Sequence, residues 1–345
     1  MISTEVMGAW QALDAAGMLA SIMKAPARAK AHFQKGLDAP YSGHPDFQHV
    51  LVCGMGGSGS TGDFLQASCP EARVPITVHK NPMLPRWVNE TTLVICVTYS
   101  GNTAETLGCL EQALSQGAQV HVLTSGGKAL AKAEQEQLSH IKVDGGLPPR
   151  AALFDMLFAL LGSLAELEVL AIDKQAVAAA ADHLQQLAQQ WQLTAENAYP
   201  MTLAQQLQDH RAHFWGRCGG ADTVAMRWKN QLAENAKMLS SWSALPELNH
   251  NEIVPFCHQR FPQTALVYLR LEHSPFDQIS LEQVGEYVGQ TLTVEAEGAT
   301  PLSRLLYLVY LADFVSVYLA YLQDVDPTPI QAIDTLKQRM AEVKV

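Results

Sequence analysis

Glycines and hydroxyl side chains are concentrated in two short segments, each directly after an apolar run. Residues 54–62 follow the run His49–Cys53, and residues 98–103 follow the run 92–97 and precede helix-forming residues. Free backbone N–H groups at a helix N-terminus, together with the helix dipole, favour a bound anion. Hydroxyls add further donors, so the two segments predict an anion site, and phosphate is the anion that fits best.

The nucleotide-binding signatures fit these segments poorly. Residues 54–59 lack the Gly-Lys-Ser/Thr ending of a P-loop, so no lysine is placed to reach a β- or γ-phosphate. The glycines do match G-x-G-x-x-G, which leaves a dinucleotide loop open, and glycines after a strand also occur in plain turns. The second segment favours a phosphate, because the clustered hydroxyls and the amide of residues 98–103 suit three phosphate oxygens better than a dinucleotide.

The elements that must position these segments alternate between apolar runs and helical stretches. Strand candidates lie at residues 49–53, 74–79, 92–97, 119–124 and 140–143 in the first half, and at 213–218, 264–271 and 291–296 in the second. Helical patterns of the second half lie at residues 223–239, 281–289 and 303–322. This alternation predicts an α/β fold with parallel sheets covered on both faces. Ligands of such sheets bind at the carboxyl ends of the strands, where both segments lie.

Further helical patterns flank and connect these halves. Residues 4–37 are helix-like and are expected to pack across the body of the molecule, and residues 151–170 and 176–193 are expected to bridge the halves. The stretch 305–322 is apolar and about long enough to cross a membrane. Asp313 at its centre would be costly in lipid, so we predict a buried core helix.

Composition excludes several classes of protein. A chain of 345 residues suits two domains, and its net charge of -11, without a run of lysines and arginines, argues against nucleic acid and anionic membranes as partners. Six cysteines without a C-x-x-C motif predict reduced thiols in the cytoplasm rather than disulfides or zinc ligands. Residues 1–19 lack the pattern of a signal peptide.

Residues 98–106 (Thr-Tyr-Ser-Gly-Asn-Thr-Ala-Glu-Thr) resemble the phosphosugar-binding signature of sugar isomerase (SIS) domains. That signature usually begins with Ser where this chain has Thr98, a change that keeps the hydroxyl. From about residue 45 to the C-terminus, the chain resembles the bifunctional phosphoglucose/phosphomannose isomerases of the phosphoglucose isomerase superfamily. The resemblance is carried by blocks in the same order: Gly54-Met55-Gly56-Gly57-Ser58-Gly59, Pro149-Arg150-Ala151, Glu234-Asn235-Ala236-Lys237, Pro246-Glu247-Leu248-Asn249-His250-Asn251 and Leu336-Lys337.

The resemblance implies two SIS-type, flavodoxin-like domains, each a three-layer α/β/α unit with a parallel sheet, plus N-terminal and C-terminal helices. We place an N-terminal helical segment at residues 1–37 and the first SIS domain, with the phosphosugar loops, at 38–172. A helical connector at 173–200 leads to the second SIS domain at 201–325, which carries the catalytic glutamate and histidine. A C-terminal helix follows at 326–345.

Four catalytic residues are implied by the same resemblance. Glu234 matches the general base of the family, although composition alone would make it one helical glutamate among many. His250 matches the ring-opening histidine, and Arg150 matches the arginine that stabilises the enediol. Lys337 matches the lysine that contacts sugar oxygens and assists ring opening. The structural alternatives are a salt bridge for Arg150 and an exposed position on an amphipathic terminal helix for Lys337.

These residue types suit an aldose–ketose isomerisation. A carboxylate in a pocket with little water can take a proton from C2 and return it at C1, and a histidine can move protons during ring opening near neutral pH. The residues expected to bind the phosphate are Gly56, Gly57, Ser58, Thr98, Ser100 and Thr103.

The resemblance therefore predicts the interconversion of glucose 6-phosphate, and of mannose 6-phosphate, with fructose 6-phosphate, without a metal or another cofactor. It also implies a cytoplasmic homodimer with shared active sites. Two alternatives stay open: an isomerase of a different phosphosugar, and a non-catalytic phosphosugar sensor. Against the sensor stand the lack of a DNA-binding motif and the joint presence of Glu234, His250 and Arg150.

Overall fold

The computed structural model describes residues 3–195 and 198–342, and the first half of the chain forms a parallel sheet of five strands. Its strands are β1 (His49–Cys53), β2 (Ile76–His79), β3 (Thr92–Thr98), β4 (Gln119–Thr124) and β5 (Ser139–Lys142). They are ordered β2-β1-β3-β4-β5. The central strand β3 is buried along its whole length, as expected where helices cover both faces of a sheet.

The second half forms a parallel sheet of four strands. These are β6 (Arg211–Arg217), β7 (Ser241–Leu245), β8 (Phe261–Arg270) and β9 (Val288–Glu295), in the order β7-β6-β8-β9. This order repeats the first four positions of the first sheet and is the flavodoxin-like order. The predicted fold class, two α/β units with parallel sheets, is confirmed.

Two local predictions for the second half are wrong. No strand was expected at β7, because its sequence Ser-Trp-Ser-Ala-Leu has no continuous apolar run and its first residues are exposed at the edge of the sheet. The helix expected at residues 281–289 instead spans Pro275–Gly285, and β9 begins at Val288. Proline is favoured in the first helical turn, and it marks this earlier start.

The structure contains thirteen helices in its described part: α1 (Thr4–Leu13), α2 (Met18–Asp38), α3 (Gly56–Ser68), α4 (Ala104–Ser115), α5 (Gly127–Gln135), α6 (Leu153–Ser163), α7 (Lys174–Gln190), α8 (Tyr199–Leu207), α9 (Ala221–Asn235), α10 (Ile253–Phe256), α11 (Pro275–Gly285), α12 (Pro301–Leu322) and α13 (Gln331–Ala341). Three short 3₁₀ turns lie at Pro149–Ala151, Glu168–Leu170 and Glu247–His250. The helix-like N-terminal segment is interrupted, since the Asp14 carboxylate accepts hydrogen bonds from the Met18 and Leu19 N–H groups and begins α2 anew.

Helix α12 is the centre of the core. It is long and apolar enough to cross a membrane, yet 94% of its apolar stretch is buried inside the protein. It packs against α2, α7, α8 and α9, and α2 in turn packs against α6. The predicted core helix is therefore confirmed, and it joins helices from both halves of the chain.

Candidate active site

The first glycine-rich loop forms the N-terminus of α3. Met55 at the N-cap position contributes no side-chain hydrogen bond, so the first N–H groups of α3 are left for an anion. Gly56 is exposed, with a positive φ of 52° that suits glycine. Ser58 is buried, and its hydroxyl accepts a hydrogen bond of 3.0 Å from the Tyr99 N–H. This bond ties the first loop to the second and leaves the Ser58 hydroxyl a hydrogen to donate.

The second loop forms the N-terminus of α4. Thr103 occupies the N-cap position without a side-chain capping bond, so this helix also begins with free N–H groups. Its hydroxyl instead accepts from the Thr98 hydroxyl at 3.2 Å, while Ser100 is exposed. Gly101 has a φ of +71°, and a Cβ there would lie 1.7 Å from the Gly126 carbonyl oxygen. The turn therefore requires glycine and holds three hydroxyls at the same helix N-terminus.

Arg150 lies against the first loop because Gly57 allows the backbone of the turn Pro149–Ala151 to approach closely. A Cβ on Gly57 would lie 2.7 Å from the carbonyl oxygen of Pro149, the first residue of the 3₁₀ turn Pro149–Ala151. Arg150, in the same turn, is 3% exposed. The missing side chain at Gly57 thus allows the arginine to sit directly beside the predicted phosphate site.

The guanidinium of Arg150 reaches into the second half of the chain. Its Nε donates to Asn235 Oδ1 at 2.7 Å, and its Nη2 donates to the carbonyl oxygens of Pro327 and Thr328 at 2.9 and 2.8 Å. Its Nη1 lies 3.5 Å from Glu234 Oε2. Burial lowers the pKa of Arg150, and the nearby Glu234 carboxylate opposes this shift.

Glu234 lies in the last turn of α9, next to Arg150. Its side chain is 31% exposed, so it is reachable from solvent on one side and faces the buried guanidinium on the other. Beyond the end of α9, Lys237 donates from Nζ to the Glu234 carbonyl oxygen at 2.6 Å. Burial lowers the pKa of Lys237, and the positive charge of Arg150 adds to that shift. The structure therefore brings the predicted base and the predicted enediol-stabilising arginine together.

The structure shows no hydrogen bond or ion pair between this pair and His250 among the described residues. His250 ends the 3₁₀ turn Glu247–His250 after the edge strand β7 and is exposed. In the part of the chain that the structure describes, its side chain takes part in no hydrogen bond or ion pair. Lys337 belongs to α13, and its side chain lies outside the described residues.

Comparisons with known proteins identify the family of this chain. Residues 196–340 match the model of the bacterial phospho-glucose isomerase C-terminal SIS domain. The bifunctional phosphoglucose/phosphomannose isomerases of Caldicellulosiruptor bescii and Aquifex aeolicus are each 31% identical to this chain, and each alignment covers 87% of the chain and 91% of the relative. The chain belongs to the bifunctional phosphoglucose/phosphomannose isomerase family.

More distant similarities extend around this family. The D-glucosamine-6-phosphate 4-epimerase of Sulfolobus acidocaldarius is 25% identical over 90% of this chain and 95% of that protein. Among solved structures, a hypothetical protein of Thermus thermophilus superposes with a TM-score of 0.75 at 16% identity, over 98% of this chain and 95% of that one. This structural likeness shows the shared fold.

Sequence reasoning missed the polar residues that surround Arg150 in this member of the family. Asn235 holds the guanidinium, and Arg227 donates from Nη2 to the Arg150 carbonyl oxygen at 3.1 Å. Arg227 also pairs with Asp313 at 2.6 Å. The signal for this network was Asp313, a charge in the middle of an apolar helix, because a buried charge needs a partner. Nothing in the sequence indicated that the partner would lie on α9.

A cavity of about 530 Å³ lies at a different place, by the carboxyl ends of β6 and β8. It contains two arginines, and both face carboxylates of the chain itself. Arg217 pairs with Asp277, and Arg304 lies 3.9 Å from Glu272. Because these charges are already balanced, the cavity lacks the donors that the two glycine-containing loops offer to a phosphate.

Proposed function

We propose that this protein interconverts glucose 6-phosphate and mannose 6-phosphate with fructose 6-phosphate, as the names of its relatives indicate for them. The observation that carries the proposal is the approach of Glu234 to Arg150 at 3.5 Å. It joins a carboxylate of the second unit to an arginine that packs on the predicted phosphate loop of the first. Glu234 supplies a base and Arg150 supplies a cation. The uncapped N-termini of α3 and α4 supply an anion site in the same region.

The chemistry assigned to this region is proton transfer through a cis-enediol. The phosphate would bind the N–H groups and hydroxyls of the two loops, which leaves C1 and C2 of the open-chain sugar near Glu234. Glu234 would remove the proton from C2 and return it at C1. Arg150 would stabilise the oxygen that becomes negative, because a preorganised cation in a buried site acts strongly on developing charge. No step of this scheme calls for a metal, and we propose a metal-independent reaction.

Ring opening must precede this step, and we assign it to His250, with Lys337 contacting sugar oxygens. His250 is exposed and makes no hydrogen bond or ion pair with Glu234 of its own chain among the described residues, which supports delivery of the histidine to the pocket of a second copy. We therefore propose a homodimer with shared active sites, located in the cytoplasm. A closed C2 dimer is the commonest arrangement of soluble homo-oligomers.

An isomerase or epimerase of a different phosphosugar is the second candidate. The similarity to the D-glucosamine-6-phosphate 4-epimerase favours it, because the same phosphate loops would accept several sugars. The difference between these candidates lies in contacts to the sugar hydroxyls rather than to the phosphate.

A coupled assay on chelator-treated protein tests the proposal. We expect glucose 6-phosphate to form from fructose 6-phosphate, and fructose 6-phosphate to form from mannose 6-phosphate, without added metal. Turnover of neither substrate, with phosphosugar binding still measurable by calorimetry, would favour a different phosphosugar or a sensor. Recovery of turnover only after metal is added would contradict the metal-independent scheme.

Shared active sites can be tested by subunit mixing. Glu234→Gln and His250→Ala homodimers are each expected to be nearly inactive on ring-closed substrate. If the partner supplies His250, a mixed dimer has one site with both wild-type residues, and unfolding and refolding the mixture should restore about a quarter of wild-type activity by random pairing. Mixed dimers without activity would show that His250 serves its own chain, and a monomer in analytical ultracentrifugation would contradict the dimer.

A further inference from the structure

The acceptors around Arg150 are almost all neutral. Its Nε and Nη2 hydrogens go to Asn235 Oδ1, to Pro327 O and to Thr328 O, at 2.7, 2.9 and 2.8 Å. Among the described residues, the carboxylate that comes within 4.0 Å of the guanidinium is that of Glu234, at 3.5 Å. A buried guanidinium commonly pairs with a carboxylate through two short hydrogen bonds. Here the guanidinium is held firmly, yet its charge is only weakly balanced.

The orientation of the Asn235 amide is determined by its neighbours. Arginine can only donate hydrogen bonds, so the atom of Asn235 that faces Nε must be the oxygen. The amide nitrogen then donates to Ser316 Oγ at 2.9 Å, and the Ser316 hydroxyl donates to the Asp313 carbonyl oxygen at 2.9 Å. Asn235 is 0% exposed. Helix α12 therefore holds the amide in the one orientation that accepts from Arg150.

The other charged groups near this pair are already engaged. Arg227 donates to the Arg150 carbonyl oxygen at 3.1 Å and pairs with Asp313 at 2.6 Å, so these two charges balance each other. Lys237 donates to carbonyl oxygens at the end of α9, and the negative charge of Asp326 opposes the lowering of its pKa by burial. Because Asp313 pairs with Arg227, it does not balance the charge of Arg150. The positive charge of Arg150 can therefore attract the Glu234 carboxylate.

We propose that Asn235 is a positioning residue that holds Arg150 with a neutral oxygen, so that the guanidinium charge acts on Glu234 and on the substrate oxygen that becomes negative. The inference rests on the proposed isomerase function. Asparagine suits this position because it accepts from the arginine and donates to the serine without adding charge. An aspartate there would neutralise Arg150, and an apolar residue would leave the buried Nε hydrogen without an acceptor.

The decisive variant is Asn235→Asp, which keeps shape and adds one negative charge. We expect kcat for fructose 6-phosphate to fall by about tenfold or more, because a neutralised Arg150 stabilises the enediol less. We also expect the acid limb of the kcat/KM profile to move up by about one pH unit, because a second negative charge next to the base disfavours the charged form of the base. KM should change little, since the phosphate loops are untouched. A purely structural role for Asn235 would lower the melting temperature and leave the acid limb in place.

Two further variants complete the test. Asn89→Asp adds the same charge at an exposed position of the turn before β3 and should behave like the wild type. Ser316→Ala removes the acceptor that orients Asn235 without adding charge, and it should lower kcat severalfold while the acid limb stays in place. Folded Asn235→Asp protein with wild-type kcat and an unmoved limb would overturn the inference. If Asn235→Asp does not fold, unchanged kcat in Ser316→Ala would overturn it. A wild type inactive on every phosphosugar tested would instead contradict the proposed function.

Discussion

The carboxyl ends of β1 and β3 and those of β6 and β8 lie at the same topological position in their sheets, where the strand order reverses. Helices α3 and α4 begin at this position in the first sheet and α9 and α11 in the second, all four without a side-chain cap. In the second sheet, the N–H of Gly220 before α9 donates to Asp222 Oδ1 at 3.0 Å. Arg217 there donates from Nε to Asp277 Oδ2 at 3.0 Å and from Nη2 to Ser274 Oγ at 2.9 Å.

The carboxyl ends of β1 and β3 are called the first edge here, and those of β6 and β8 the second edge. The two edges differ in which anions can bind to their hydrogen-bond donors. At the second edge, the carboxylates of Asp222 and Asp277 accept hydrogen bonds from the Gly220 N–H and from Arg217. At the first edge, no carboxylate among the described residues accepts from the N–H groups of the two loops.

The second unit contributes instead from the opposite end of α9, where Glu234 meets Arg150. A helix C-terminus favours nearby cations, and Arg150 and Lys237 both lie there. Two units of one topology can thus divide the work, one binding an anion and the other supplying a base.

The strongest test of this division is Glu234→Gln, which keeps shape and removes the base. We expect kcat to fall by about a thousandfold or more, because an amide cannot take the proton from C2. Phosphosugar binding, measured by calorimetry, should be largely kept, because the first edge is intact. Glu286→Gln, an exposed glutamate of the same unit, is the matched control and should retain full activity. Near-normal turnover in Glu234→Gln would show that the second unit does not supply the base.

A smaller effect is expected when hydroxyls are removed from one edge at a time. The double variant Ser100→Ala, Thr103→Ala should raise KM by about a hundredfold, because two hydrogen bonds to a charged phosphate are lost, and should change kcat less. Ser274→Ala removes a hydroxyl from the second edge and should leave KM within about twofold of the wild type, because Arg217 remains paired with Asp277. Steady-state kinetics with fructose 6-phosphate measures both. A rise in KM confined to Ser274→Ala would show that the phosphate binds at the second sheet.

The smallest effect on activity is expected from two buried histidines, one in each sheet. Their titration should change the stability of the fold rather than the reaction. His121 is bonded through both ring nitrogens to Ser139 and Ser163, and burial lowers its pKa to about 4. Burial also lowers the pKa of His213, but the nearby Glu252 opposes that shift. Between pH 6.5 and 4 the unfolded chain therefore binds more protons than the folded one. Stability should fall on acidification, and His121 should account for about 2 kcal/mol between pH 7 and pH 5.

Urea unfolding of His121→Gln at pH 7 and pH 5 measures this contribution. The variant should lose less stability than the wild type between these two pH values, because its amide does not titrate. His213→Gln should flatten the pH dependence less, since Glu252 partly offsets the burial of that ring. Equal slopes in the wild type and in His121→Gln would show that this ring is not held neutral by the fold.

Much of the fold could be predicted because its strands and helices follow their local patterns. Residues 50–53 of β1 and 93–97 of β3 are continuously apolar, as buried parallel strands require. Edge strand β7 could not be predicted, because a half-exposed strand needs no apolar run and is held by its pairing with β6. The interruption between α1 and α2 was missed for a similar reason, since it depends on the side chain of Asp14 capping the next helix.

By itself, the sequence determined which residues could bind a phosphate, since glycines and hydroxyls before a helix act through local backbone geometry. It also determined the family, through blocks of residues in order along the chain. Only the tertiary structure decided that Glu234 and Arg150, which are far apart in sequence, lie 3.5 Å apart, and that Asn235 holds the arginine with a neutral oxygen. The physical reason is that such contacts depend on how α9 and α12 pack against the turn at Pro149–Ala151, and packing between distant elements leaves no periodic signal in the chain.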